Sequence, residues 1–117
     1  MIWLKAGALS MFITIALGAF GAHALKSRLD PAMMEIYKTA VFYQAIHALA
    51  LVMLDSVASR YGVRVTPAGW FFVAGTILFS GSLYALAFTG QKMWGAVTPL
   101  GGLCFLGGWA AVFFLRK

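Results

Sequence analysis

The sequence predicts an all-α integral membrane protein whose four transmembrane helices pack as two helical hairpins. The 117-residue chain is 62% hydrophobic and only 10% charged, and its mean hydropathy is +0.89. The charged residues cluster at the ends of four apolar stretches, and a membrane-spanning helix needs about 20 mainly apolar residues. A soluble protein with so much exposed apolar surface would precipitate, whereas a bilayer solvates such surface. We expect one domain, residues 1–117.

The first two predicted helices cover residues 2–25 and 31–59. Small residues recur on two faces of the first helix, and in lipid such residues let neighbouring helices approach closely. The second helix is predicted to begin at Asp30-Pro31, a pair typical of an N-cap followed by the first helical residue.

The third and fourth predicted helices cover residues 67–89 and 99–115. Thr66-Pro67 and Thr98-Pro99 have the same cap-and-proline form, so no proline is expected inside a helix. The stretch from Gly90 to Gly95 is then a turn. Across all four helices, the residues predicted to lie at close helix contacts are Gly7, Gly18, Gly21, Gly75, Ser82, Gly101 and Gly108.

The net charge of +6 comes from basic residues at the ends of the apolar stretches. This placement predicts contact with anionic lipid headgroups rather than nucleic acid. Four spans put both termini on one side, which carries five basic residues against four on the other. The positive-inside rule therefore predicts cytoplasmic termini.

A stripe of polar residues on the second predicted helix is the candidate site. It contains Tyr37, Gln44, His47 and Asp55. Ionisable residues inside a membrane indicate a ligand contact or proton relay, but Gln44 and His47 equally suit hydrogen bonds that clamp one helix to another. We favour the clamp.

Two ionisable residues, His23 and Asp55, are assigned to the helix ends. His23 lies about 10 Å from the depth of His47 if both helices are straight, so a direct pair is not expected. Asp55 is expected to pair with Arg60 or Arg64.

No catalytic constellation is present in the sequence. It lacks a carboxylate pair, a glycine loop that would cradle phosphate and Cys/His spacing suited to metal. We therefore expect no enzyme activity, metal or cofactor. Haem or quinone binding through the two histidines is a remote alternative.

Four stretches resemble a known family: Gly18 to Leu25, Tyr43 to Leu49, Phe79 to Leu86 and Thr98 to Gly102. Together they resemble the YgdD/YwdK family of small bacterial inner-membrane proteins, a domain of unknown function. The resemblance covers nearly the whole chain. It implies four helices in the bacterial inner (plasma) membrane and brings no activity, substrate or catalytic residue with it.

The molecular function is expected to be non-enzymatic, as a membrane scaffold or membrane-integrity protein, alone or as a homo-oligomer. The alternative is a small oligomeric transporter or proton-coupled carrier that uses Gln44 and His47. The polar stripe motivates that alternative, but the chain has no carboxylate at the middle of a predicted helix.

Overall fold

Four long helices make up the computed structural model, which describes residues 1–117. They are α1 (Ile2–Leu25), α2 (Pro31–Tyr61), α3 (Thr66–Thr89) and α4 (Met93–Phe113). Each is long and apolar enough to cross a membrane. The predicted all-α membrane fold is confirmed.

The starts and ends of α2 and α3 follow from local chemistry. The Asp30 side chain accepts a hydrogen bond of 2.8 Å from the Met33 amide, so the predicted N-cap of α2 is correct. At its other end α2 extends two residues beyond the prediction, to Tyr61, and is followed by Gly62, whose φ of 64° suits a residue without a Cβ. α3 begins at Thr66 itself and has no side-chain cap.

The predicted start of α4 at residue 99 is wrong. The helix begins at Met93, inside the stretch expected to be a turn, and Pro99 lies within it. A proline removes one backbone hydrogen bond, and helices in membranes tolerate this where other groups satisfy the freed backbone. The Thr98 hydroxyl donates to the Trp94 carbonyl at 3.3 Å, one residue before the Gly95 carbonyl that the proline leaves without its helical donor.

α1 and α3 each contain a π-helical turn, Ala16–Gly21 and Thr76–Ser80. Both turns are tied to α2. The Tyr37 hydroxyl donates to the Leu17 carbonyl in the first, and the Ser80 hydroxyl in the second donates to the Ala40 carbonyl at 2.8 Å. The wider turns thus present polar atoms towards the helix that lies between them.

The helices pack in chain order as an open layer. α1 packs along α2, α2 along α3 and α3 along α4, while α1 and α4 share no interface. The Cα trace measures 49 × 27 × 16 Å, so its cross-section is flattened rather than square. The predicted hairpins are therefore α1–α2 and α3–α4, joined through α2 and α3.

The largest buried apolar cluster lies towards the end of the layer that carries both termini. It includes Trp3 of α1, Leu51 and Leu54 of α2, Phe72 of α3 and Phe105 of α4. Many other large apolar side chains point outward, as expected for surface that contacts acyl chains.

Candidate functional site

His47 lies near the middle of α2 and both of its ring nitrogens are occupied. Nδ1 is 2.7 Å from the Tyr43 carbonyl oxygen, and Nε2 is 3.0 Å from Nε1 of Trp109 in α4. The indole N–H can only donate, so Nε2 accepts and the imidazole hydrogen is on Nδ1. These partners select the neutral imidazole.

Aromatic rings enclose the same imidazole. It stacks on Phe105 with the ring centroids 3.5 Å apart and the planes within 5°, and Phe72 lies 5.4 Å away. A second proton on Nε2 would face the indole N–H, so protonation requires that the contact with Trp109 breaks. Nε2 is likewise blocked to an iron ligand bond, which disfavours the haem alternative.

Gln44, one turn before His47, joins three helices. Its Oε1 accepts from the Tyr84 hydroxyl of α3 at 2.6 Å. Its Nε2 lies 3.4 Å from the Ser10 carbonyl of α1 and 3.5 Å from the Ser10 hydroxyl. Both ends of the amide are therefore directed at protein partners.

Tyr37 extends this network towards the end of the layer that carries the hairpin turns. Its side chain is fully buried, and its ring packs edge-on against Tyr84 and Phe88. Ser82 of α3 and Thr98 of α4 add a hydroxyl pair at 2.6 Å. The polar network, comprising Tyr37, Gln44, His47, Ser80, Ser82, Tyr84 and Trp109 with their partners, therefore reaches all four helices.

The other two predicted site residues lie outside the polar network. Asp55 accepts from the Leu4 amide at 2.7 Å, and the Met1 amino group lies 3.8 Å from it. The predicted pairing with Arg60 or Arg64 is wrong, because the unpaired amides at the start of α1 attract this carboxylate more directly. His23 is exposed and lines a surface pocket near the first hairpin turn.

The predicted packing residues all lie against neighbouring helices. A Cβ on Gly7 would come within 2.6 Å of the Ala48 carbonyl oxygen and the Val52 amide nitrogen of α2. A Cβ on Gly101 would overlap the Phe79 backbone of α3. The remaining neighbours are Val41 for Gly18, Tyr37 for Gly21, Phe105 for Gly75, Thr98 for Ser82, and Phe71 and Phe72 for Gly108.

Sequence reasoning missed the partners of these residues: Ser10, Ser80, Tyr84, Thr98, Phe105 and Trp109. Trp109 lies close to the C-terminal end of α4, where tryptophan is typical of the membrane interface, whereas its N–H contacts His47. Ser80, Tyr84 and Thr98 carried a signal, since they lie in stretches that resemble the family. Hydroxyl groups within helices carry no sequence signal for an interhelical bond, because they can equally bond their own backbone.

A groove of about 410 Å³ runs between α1 and α3 with α2 as its floor. Gln44 and Leu51 form the floor, and Ser10 and Thr76 face each other across it. The Thr76 hydroxyl is buried without a hydrogen-bond partner. The Trp94 indole N–H is also buried without a partner, but Trp94 does not line this groove.

Comparison with known proteins identifies the family. Residues 17–102 match the model of a family described as a protein of unknown function (DUF423). The chain belongs to this family. It is 44% identical over 104 residues to the inner membrane protein YgdD of Escherichia coli, which covers 88% of this chain and 79% of YgdD.

Relatives in other bacteria are also named as membrane proteins. The membrane protein YwdK of Bacillus subtilis is 41% identical over 108 residues, covering 91% of this chain and 88% of YwdK. A membrane protein of Staphylococcus haemolyticus is 42% identical over 103 residues, covering 88% and 84%. No solved structure matches.

These matches confirm the resemblance read from the four stretches. The chain is a multi-pass protein of the bacterial inner membrane. The names of its relatives describe membrane proteins and no activity.

Proposed function

We propose that this protein is a non-enzymatic scaffold that contributes to the integrity of the inner membrane. One observation carries the proposal: both nitrogens of His47 and both ends of the Gln44 amide already have protein partners. An intramembrane polar group that served a substrate would need an atom free to bind it.

The physical role of the polar network is to join helices. In lipid, apolar surfaces gain little by leaving the acyl chains, so helices associate through close packing and interhelical hydrogen bonds. The polar network supplies those bonds, and glycines bring helix backbones into contact in both hairpins. This construction favours one rigid arrangement over the alternating states of a carrier.

A small oligomeric carrier is the second candidate, and the groove between α1 and α3 favours it. The Thr76 hydroxyl is buried without a hydrogen-bond partner, and Thr76 lines this groove together with Gln44. A carrier of this kind would bind a small solute there. It would move protons only if His47 released Trp109 during the cycle.

Reconstituted protein distinguishes the two candidates. The two test variants are His47→Ala and Trp109→Phe. The second removes the hydrogen-bond donor to His47 and keeps an aromatic ring. Trp70→Phe is the matched control, because Trp70 is 60% exposed and forms no hydrogen bond from its indole. The measurements are proton flux in liposomes loaded with a pH-sensitive dye, and unfolding in mixed micelles titrated with SDS.

The scaffold predicts no proton flux beyond that of empty liposomes, together with reduced stability of both test variants and not of the control. In cells that lack the protein, leakage of a polar dye should rise and should return to normal with Trp70→Phe. Flux that depends on His47 would overturn the scaffold and support the carrier. A variant that folds normally yet fails to restore the dye barrier would also contradict the scaffold.

A further inference from the structure

A pocket of about 610 Å³ opens at the end of the layer that carries the termini, between the start of α3 and the end of α4. Its lining has two chemical halves. The basic half is Arg64, Arg116 and Lys117, and the apolar half includes Ala111, Phe114 and Leu115. This is the division expected at the boundary between headgroups and acyl chains.

The basic half forms no ion pair with an acidic side chain. The ion pairs of the chain join Asp55 to the amino terminus and Glu35 to Lys38. None of the three basic residues of the pocket takes part in them, and no Asp or Glu lines the pocket. The pocket is therefore a concave cationic surface at the membrane boundary.

The start of α3 adds positive potential to the same place. The first turns of α1 and α2 are capped by the carboxylates of Asp55 and Asp30. α3 has no side-chain cap, and its second residue, Pro67, lines the pocket. Pro67 has no amide hydrogen, so α3 contributes the positive end of its helix dipole, which favours an anion.

The backbone holds the two arginines at this site together. The Arg64 amide donates to the Arg116 carbonyl at 3.3 Å, so the loop before α3 is tied to the segment after α4. Arginine side chains from two different segments thereby share one pocket. A guanidinium can donate two parallel hydrogen bonds to a phosphate.

We propose that this pocket binds the phosphate of an anionic membrane phospholipid. Arg64 and Arg116 contact the phosphate, Lys117 adds charge, and the apolar half contacts the start of an acyl chain. The apolar half favours a lipid over free phosphate, since inorganic phosphate would leave those side chains without a partner.

The test is native mass spectrometry of the full chain with added phosphatidylglycerol, phosphatidylcholine or inorganic phosphate. The test variant is R64Q/R116Q. The matched control K5Q/R60Q removes the same charge from the same end of the layer, and neither residue lines the pocket. R64K/R116K keeps the charge but loses the paired hydrogen bonds.

We expect the native chain to retain phosphatidylglycerol in preference to phosphatidylcholine and to retain no inorganic phosphate. Each basic residue contributes about fivefold to binding at an anionic surface, so R64Q/R116Q should lower phosphatidylglycerol affinity about 25-fold. K5Q/R60Q should behave like the native chain, and R64K/R116K should lie between them.

Three results would overturn the proposal. Equal losses in the two glutamine variants would indicate diffuse attraction to the whole basic end. Equal retention of both lipids would indicate an apolar contact only, and retention of inorganic phosphate at the same affinity would indicate a soluble ligand. If R64Q/R116Q does not fold, an unaltered lipid preference in R64K/R116K would count against the two arginines.

Discussion

The α1–α2 and α3–α4 interfaces hold their helices together by different means. Between α1 and α2, Gln44 and Tyr37 donate hydrogen bonds to carbonyl groups of α1, and Asp55 accepts one from the Leu4 amide. One close backbone contact lies at Gly7. Between α3 and α4, phenylalanine rings fit against glycines of the opposite helix. The ring pairs are Gly75 with Phe105, Gly107 with Phe71, and Gly108 with Phe72, whereas Gly101 lies against the Phe79 backbone.

The difference indicates two ways of pairing helices where lipid removes the hydrophobic driving force. A glycine opposite a phenyl ring gains dispersion contacts at short range. A polar side chain that forms a hydrogen bond avoids the free-energy cost of lying in hydrocarbon without a partner. Packing of glycine against a phenyl ring depends on shape alone, whereas a hydrogen bond depends on the presence of both the donor and the acceptor. Substitutions should therefore affect the stability of the two interfaces differently.

The largest effect is expected from Gly101→Leu, which attacks the α3–α4 interface. The new side chain would overlap the Phe79 backbone, which cannot rotate away. We expect a loss of about 3 kcal/mol in the free energy of unfolding, measured by SDS titration. Gly81→Leu is the control because Gly81 has open space around it, and it should change stability by less than about 0.5 kcal/mol. Equal losses would refute the shape argument.

Gly7→Ala tests the single close backbone contact of the α1–α2 interface. One methyl group would meet two α2 backbone atoms at 2.6 Å, and we expect a loss of about 2 kcal/mol. Gly95→Ala makes the same change where nothing lies within 4 Å, and it should be nearly neutral. If the two variants unfold at the same SDS fraction, α1 can shift on α2 without cost.

Gln44→Leu should cost about 1.5 kcal/mol, near the upper end of values for hydrogen bonds inside membranes. The reason is that it leaves the Tyr84 hydroxyl without its acceptor. The check is a double-mutant cycle with Tyr84→Phe, in which the double variant should lose less than the sum of the single losses. Additive losses would mean that the two side chains do not interact.

Ser82→Ala should have the smallest effect, about 0.5 kcal/mol. The Thr98 hydroxyl retains the Trp94 carbonyl as an acceptor, and the phenylalanine–glycine contacts of the interface remain. The same SDS titration gives the value. A loss larger than that of Gln44→Leu would reverse the contrast between the two interfaces.

The membrane spans and the glycines at helix contacts could be predicted from the sequence, but the hydrogen-bond partners of the polar residues could not. The N-cap at Asp30 was predictable because a cap and its amide lie three residues apart. The partner of His47 was not, because Trp109 lies 62 residues away and interhelical distance is not encoded locally. The start of α4 was misread because a proline signals a helix start in most settings, and a membrane helix can carry one inside.

By itself the sequence determined that this chain crosses the membrane four times, because apolar length and the placement of charge decide insertion residue by residue. Only the tertiary structure decided which nitrogen of His47 accepts, where Asp55 binds, and that the layer stays open between α1 and α4. Those outcomes depend on which side chains of other helices come within about 3 Å, the range of a hydrogen bond, and that proximity exists only after the helices pack.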